Sequence, residues 1–509
     1  MLILTPIPKA PHIQKLLLLS LLVAGLSWLM PGSVVAQTFT NLYGFTSGND
    51  GAVPSSGVIL SGGLLYGTAL DGGSNRFGTV FSVQTNGANF TVLHSLSSND
   101  GTFPFSGLVL SSNVLYGTTQ GGGSNNFGTV FSIGIGGGGN NGFTNLHSFA
   151  NTDGDSPNAG LVLSGTTLYG VAQSGGANGS GTVFAINTDG SGFTNLYSFS
   201  AVHTNAAGVY TNGDGAFILG ALFLAGNTLY GTAQNGGTNG NGTIFALNTD
   251  GSGFTNLYTF SAGAVNDVGN VTNSDGALPS TGVILAGTTL YGTARSGGSG
   301  GNGTVFALDT LGTGLTTLYS FTEGTITNFS HILNYVVNSD GANPGPLTVS
   351  GHTLYGTGMN GGTWGNGTVF SFDLNSLTFS NRYTFSASAT RLPGFIANGD
   401  GADPAGTLLL SGSILYGTAE EGGTNHSGTL FSITLTVPPV LPPTLTIVSA
   451  PPNVILAWPV NATGFTLQST PDLGSPAWAN VSTVPSVVDT NNVVTNVVTG
   501  AQIFFRLSQ

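Results

Sequence analysis

Seven copies of Leu-Tyr-Gly-Thr or a close variant, short apolar runs bounded by Gly, Asn and Asp, and the lack of a helical period after the glycine-rich loops predict an all-β protein. The expected architecture is a seven-bladed β-propeller followed by a small β-sandwich. The repeated tyrosines are Tyr66, Tyr116, Tyr169, Tyr230, Tyr291, Tyr355 and Tyr416. Their spacings of 50, 53, 61, 61, 64 and 61 residues are too long for one coil of a solenoid and suit one four-stranded blade.

Residues 1–36 read as a secretory signal peptide. Lys9, His12 and Lys15 precede an apolar stretch from Leu16 to Met30, which Pro31 and Gly32 break. Val34, Val35 and Ala36 then offer a cleavage site before Gln37. An uncleaved membrane anchor is the alternative, but fifteen apolar residues fall short of the ~20 that span a bilayer. No cysteine is present, which excludes a lipidated cysteine, disulfides, thiolate metal sites and cysteine nucleophiles. The expected location is secreted, either extracellular or on the cell surface.

Residues 37–435 hold the repeats. In one module, Phe193–Phe199 is followed by a polar loop ending in Asp214-Gly215, then Gly220–Leu224, the pair Gly226-Asn227, Thr228–Ala233, a glycine-rich loop, and Thr243–Leu247. Each run is rich in β-branched and aromatic residues, so a module supplies four short antiparallel strands. In Thr182–Ile186 the neighbours Val183 and Phe184 must point opposite ways. A strand apolar on both faces is covered on both faces, as in a blade packed between two others.

The first and last modules are as apolar as the middle ones, so nothing caps an open stack. The Phe-Thr-x-Leu-Tyr-x-Phe element recurs at 39–45, 90–96, 143–149, 193–199, 254–260, 315–321 and 379–385, with substitutions. The last module ends at Ile433 with no such element after it. If the element is the outer strand, Phe39–Phe45 completes the seventh blade and closes the ring.

The strings Leu-Tyr-Gly-Thr-Ala, Gly-Gly-x-x-Gly-x-Gly-Thr-Val-Phe and Phe-Thr-x-Leu-Tyr-Ser-Phe resemble the bacterial tandem repeat called GloVer, whose proteins carry varied C-terminal anchoring segments and are described as "choice-of-anchor". The resemblance covers about residues 39–435 and implies a secreted or surface protein. The module order is also similar to kelch propellers, though the kelch tryptophan is missing. No functional residue carries over from either family.

Val437–Pro443 reads as a stiff proline-rich linker (436–443). Beyond it, residues 444–509 read as six or seven strands: Leu445–Ser449, Val454–Trp458, Phe465–Thr470, Trp478–Ser482, Val493–Val498 and Gln502–Leu507. This segment is similar to a fibronectin type III module. The strings at 465–473 and 504–507 resemble a C-terminal module of secreted proteins of environmental bacteria. Attachment and spacing are both open roles for it.

The formal charge is −13, and about −15 without the leader, since Lys9 and Lys15 are the only lysines. No basic patch exists to neutralise phosphates, so nucleic acid is not an expected partner. The expected partner is an extracellular protein or glycan, with no membrane insertion after signal cleavage, and the expected state is a monomer.

The most regular polar feature is Asp-Gly, at Asp50, Asp100, Asp153, Asp214, Asp275, Asp340 and Asp400. It reads as an Asx turn aiming the chain into the next blade. The alternative is calcium, yet the first ligand position of a calcium loop falls on Val271, Val336, Tyr210 or Ile396. The Gly-Gly-x-x-Gly-x-Gly loops lack the following helix and the lysine of a phosphate cradle. His94 and His147 replace the Tyr of the outer strand. His203, His331, His352 and His426 are isolated, with no zinc spacing. Adjacent Glu420 and Glu421 cannot act as paired acids on a strand. Trp364 sits in a loop, where packing is favoured over stacking on a sugar. Asp71, Asp267, Asp309, Glu323 and Asp403 break the repeat but form no recognisable set. No catalytic, cofactor-binding or metal-binding residue is therefore assigned. Inserts at about 200–213, 261–274, 322–339 and 386–399 fall on one loop side, the best candidate for a binding surface. The expected role is a non-enzymatic binding protein. A polysaccharide-active enzyme using that face, or a structural surface protein, are the alternatives.

Overall fold

A computed structural model describes residues 37–509 except 136–141, 207, 267–270, 330–332, 388–390, 393–394, 397, 436–443, 461–464, 474–476, 489–490, 498–502 and 509. The signal-peptide and linker readings fall outside the described residues. Two compact units appear, Gln37–Leu435 and a C-terminal unit containing the residues after Leu435. Among the described residues there is no helix, and so none long and apolar enough to cross a membrane.

The first unit contains seven antiparallel sheets built alike. In the fourth, Phe223–Ala225, Thr228–Ala233, Thr243–Asn248 and Thr255–Thr259 lie side by side in chain order. The seventh combines Leu409–Ser411, Ile414–Ala419 and Thr429–Thr434 with Thr38–Gly44 from the chain start. Phe39 pairs with Ile433 and Thr40 with Ser432. The sixth sheet differs: Ala342–Pro344 adds a fifth strand on Thr353–Asn360. Elsewhere the same pairing is a single bridge, such as Ala216 with Asn235.

Seven apolar clusters fill the seven gaps between sheets. Leu65, Phe81 and Val83 of the first blade pack on Phe45, Tyr416 and Leu430 of the seventh. Tyr66 and Val80 of the first blade pack on Leu108, Leu115 and Phe131 of the second. The remaining five clusters continue round to the sixth and seventh blades. A stack of seven sheets has six gaps when open and seven when closed, so the ring is closed. Each fully buried Phe or Leu in these gaps contributes roughly 1.5–3 kcal/mol.

The repeated tetrapeptide follows from this packing. Strand residues alternate faces, so Leu65 faces the preceding blade and Tyr66 the next. Gly67 returns to the first face, under the ring of Phe81, where an added Cβ would sit 2.7 Å from Cζ. The same geometry recurs at Gly231 under Phe245, at 2.5 Å. Thr68 faces forward again and donates its hydroxyl to the carbonyl of Ser106 in the next blade. Thr118, Thr232, Thr293 and Thr418 make equivalent bonds to Ala159, Thr281, Gly345 and Ser56. The last of these joins the seventh blade to the first.

The outer strands add a ring of stacked aromatics. Tyr43 lies on Phe90 at 3.9 Å, Tyr197 on Phe254 at 4.0 Å, and Tyr319 on Phe379 at 4.0 Å between centroids. Phe39, from the chain start, stacks on Tyr383 at 4.2 Å.

The C-terminal unit has two sheets. One is Thr446–Ala450, Asn453–Pro459, Asn491–Val497 and Ser486–Val488; the other is Ala479–Asn480, Thr466–Thr470 and Phe504–Ser508. Leu456, Trp458, Leu467 and Val494 form its core. These seven strands make the small β-sandwich.

Candidate functional site

Most polar residues of the repeat are consumed by the framework. Asp214 accepts from the Tyr197 hydroxyl at 2.8 Å, from Ser200 N at 2.9 Å, and from the Ser200 hydroxyl. Asp50, Asp275, Asp340 and Asp400 accept from the matching Tyr, backbone N–H and Ser or Thr. Each carboxylate thus ties the end of one blade's outer strand to the entry of the next. Burial and the neighbouring carboxylate push the hydroxyl of Tyr197 and its counterparts Tyr43, Tyr258, Tyr319 and Tyr383 far up. The glycine after each Asp has positive φ, 105° at Gly215, and packs where a Cβ would strike Thr243. The seven aspartates lie one to a blade and accept from groups upstream of them, so they clamp the preceding outer strand and are not the Asx turns the sequence suggested. Among the described residues no three His, Asp or Glu side chains gather as a metal site.

His94 and His147 occupy the tyrosine position and place Nε2 3.0 Å from Asp100 and Asp153. They stack on Phe143 and Phe193. Burial lowers the pKa of His147, and Asp153 offsets part of that shift. Both are framework residues. His203 lies in an insert hairpin, His352 is exposed in a turn, and His331 is outside the described residues.

The strands alternate direction, so the glycine-rich loops and the connections between blades share one face. The four inserts lie there. Three contain described hairpins at His203–Thr204 with Tyr210–Thr211, Ala264–Val265 with Val271–Thr272, and Arg391–Leu392 with Phe395–Ile396. The sixth blade carries the longest, Thr325–Phe329 with Leu333–Val337. Asn212, Asn273, Asn338 and Asn398 accept from the glycine-rich loops, at Gly237, Gly298, Gly362 and Gly423, holding each insert over its blade.

The same face opens on the ring's axis. A channel of about 550 Å³ runs there, walled by the start of every inner strand. Two positions per blade lie on this side of the ring. The first is the second residue after Asp-Gly: Val53, Phe103, Ser156, Phe217, Leu278, Asn343 and Asp403. All seven have left-handed backbones, with φ between 53° and 58°. Such a conformation is costly for a β-branched residue like Val53. Each is held by its N–H bonding to a carbonyl of the preceding blade, as Phe217 to Ser180.

The second position follows Leu-Tyr-Gly-Thr-Ala: Leu70, Gln120, Gln173, Gln234, Arg295, Met359 and Glu420. Flanking residues repeat, whereas this position varies apart from the glutamines of blades two to four. Gln120, Arg295, Met359 and Glu420 line the channel, with Ser55, Phe105, Asn158 and Asn343. Burial, with Glu421 nearby, pushes the Glu420 carboxyl up to about 7, against a smaller opposing pull from Arg295. Glu420 lines the channel and Glu421 does not, a placement that sequence reasoning missed. The signal was the variation at this position inside an otherwise fixed string.

The other repeat-breaking acids do not join it. Asp71 is exposed and caps Gly72, Asp309 accepts from an exposed turn opposite the inserts, and Glu323 is exposed. Asp403 lies in the connection entering the seventh blade, its N–H bonded to the carbonyl of Asn366, and Asp267 lies outside the described residues. Trp364, in the glycine-rich loop of the sixth blade, is 51% exposed, not packed as the sequence favoured.

A profile of the Gloeobacter/Verrucomicrobia repeat family matches residues 29–140, 135–271 and 210–395. No curated protein sequence matches. Among solved structures, the chain is similar to an oligogalacturonate lyase from Vibrio parahaemolyticus, at 8% identity over 79% of this chain and 98% of that one, with a TM-score of 0.46. It is similar to an oligogalacturonate lyase in complex with manganese, at 11% identity over 79% and 97%, with a TM-score of 0.44. A puromycin-hydrolyzing peptidase of Mycobacterium tuberculosis gives 12% identity over 83% and 61%, with a TM-score of 0.41. None of these values supports an inference about activity.

Proposed function

The chain belongs to the Gloeobacter/Verrucomicrobia repeat family, and from that premise we propose that it is a secreted, non-enzymatic binding protein whose insert-bearing face holds an extracellular protein or glycan. One observation carries the reading. Among the described residues of the propeller, all four exposed aromatics, Phe103, Phe105, Tyr210 and Trp364, stand on that face or in its channel mouth. Exposed aromatics on one side of a sealed framework supply the rigid apolar surface that a ligand needs. Most polar groups of the repeat, by contrast, are engaged in holding blades together. The C-terminal β-sandwich, read as fibronectin III-like, serves attachment or spacing, and the ring is read as kelch-like in strand order.

A second reading is a polysaccharide-active enzyme. It draws on Glu420, whose carboxyl at about 7 lies in the range of a general acid. Glycoside hydrolysis ordinarily needs two carboxyl groups, and Glu420 is the one acid among the described residues that line the channel. A glycan and protein array, run beside an assay for released sugar, separates the two. Binding without turnover supports the first reading, and turnover on any glycan overturns it.

A further inference from the structure

We propose that the axial channel binds a small hydroxylated carboxylate, a sugar acid, with the Arg295 guanidinium taking the carboxylate and Ser55 and Asn158 taking hydroxyls. This rests on the loop-face binding reading and narrows it to a site and a ligand class.

Arg295 is the starting point. It lines the channel half-buried, and its described side-chain contact is Met359 Sδ at 3.9 Å. Among the described residues no carboxylate lies within 4.0 Å of it, in a chain with 20 acids and 7 bases. A half-buried guanidinium is stabilised by an anionic partner, and its planar fork matches a carboxylate better than it matches a neutral group. Met359 is a weak acceptor and leaves most of the fork unused.

Two buried orphans supply the second observation. Ser55 is 5% exposed and its hydroxyl has no partner; Asn158 is 8% exposed and its side-chain carbonyl has none, although its amide donates to Gln173. Both line the channel. A buried polar group left unpaired is costly unless something completes it. A hydroxyl serves both, since it donates to Asn158 and exchanges either role with Ser55. Phe105 and Met359 add apolar wall for the C–H face of a ring. The volume of about 550 Å³ is in the range of small-ligand sites.

Glu420 does not oppose the assignment. Burial, with Glu421 beside it, raises its carboxyl to about 7 against the smaller opposing pull of Arg295, so the protonated form is present near neutral pH. In that form it donates to a carboxylate.

The test is calorimetric titration of the purified protein with sodium glucuronate and, separately, with glucose. Arg295→Gln is the diagnostic variant, because blades two to four already carry Gln120, Gln173 and Gln234 at that place and fold around them. Arg76→Gln, in an exposed loop, is the control. Saturable glucuronate binding, weakened about ten-fold or more by Arg295→Gln and by replacing the acid with glucose, and unchanged by Arg76→Gln, supports the site. Equal affinity for glucose, or no effect of Arg295→Gln, overturns it. Absent glucuronate binding with a positive array overturns the channel site and leaves the loop-face reading standing. Failure in both overturns both.

Discussion

Glu420→Gln should make the protein more stable at alkaline pH and leave it unchanged in acid. The native carboxyl titrates at about 7, raised from 4.5 chiefly by burial. Between those values the native state holds a proton that the unfolded chain has released. The native state therefore binds more protons, and stability falls as pH rises through that window. The loss is complete above pH 7, where the buried group must carry its charge. A shift of this size corresponds to about 3 kcal/mol. Gln keeps the shape and the hydrogen-bonding capacity but has no charge to bury. Other groups titrate alike in both proteins, so the difference between them isolates Glu420. Denaturant unfolding of each at pH 4.5, 6 and 8 measures it. The variant should gain nothing at the lowest pH and about 3 kcal/mol at the highest. A pH-independent difference, or a wild type that gains on the variant as pH rises, would refute the reasoning. A gain this large from one neutralised residue would also show stability given up at a place where the repeat is broken, as expected of a functional site.

Asp275→Ala removes the acceptor for the Tyr258 hydroxyl, Ser261 N and the Ser261 hydroxyl, and should cost about 2–3 kcal/mol in chemical denaturation. Gly231→Ala puts a methyl group 2.5 Å from the Phe245 ring and should lower stability by roughly 1–3 kcal/mol; a neutral result would contradict the packing assigned to the repeat. His147→Tyr restores the usual outer-strand residue. Because burial holds the native histidine below its ordinary 6.5, the unfolded state takes up the proton first. The variant's advantage in melting temperature should thus widen as pH falls from 8 to 5, and a constant advantage would argue against it.

Architecture was legible because it rests on repetition. The spacing of seven tyrosines gives the blades, and the orphan strand at Phe39 gives the closure, both from short-range pattern alone. The reasons behind the motif were not legible. That Gly67 must be bare depends on Phe81, fourteen residues away and opposite it in register. That Thr68 must carry a hydroxyl depends on a carbonyl thirty-eight residues away, in another blade. The channel was hidden for a similar reason. Arg295, Met359 and Glu420 are more than sixty residues apart in sequence, and only closure brings them to one axis. The Asp-Gly positions were readable from the repeat, but their role was not, since Asp214 reaches back to Tyr197 and Ser200. Trp364 was not, because exposure depends on how far a loop stands from its blade.

The closure itself is open to a direct chemical measurement. The chain has no cysteine, so Thr40→Cys with Ser432→Cys introduces a single pair at positions that lie directly opposite across the closing strands. Opposed residues of an antiparallel pair stand about 4.5–5.5 Å apart at Cα, within reach of a disulfide. Mild oxidation of the folded double variant should yield one intramolecular disulfide, seen as a mobility shift that reductant reverses. Free thiols after oxidation, or bonds formed only between molecules, would mean that the two ends of the repeat region do not meet and that the ring is open.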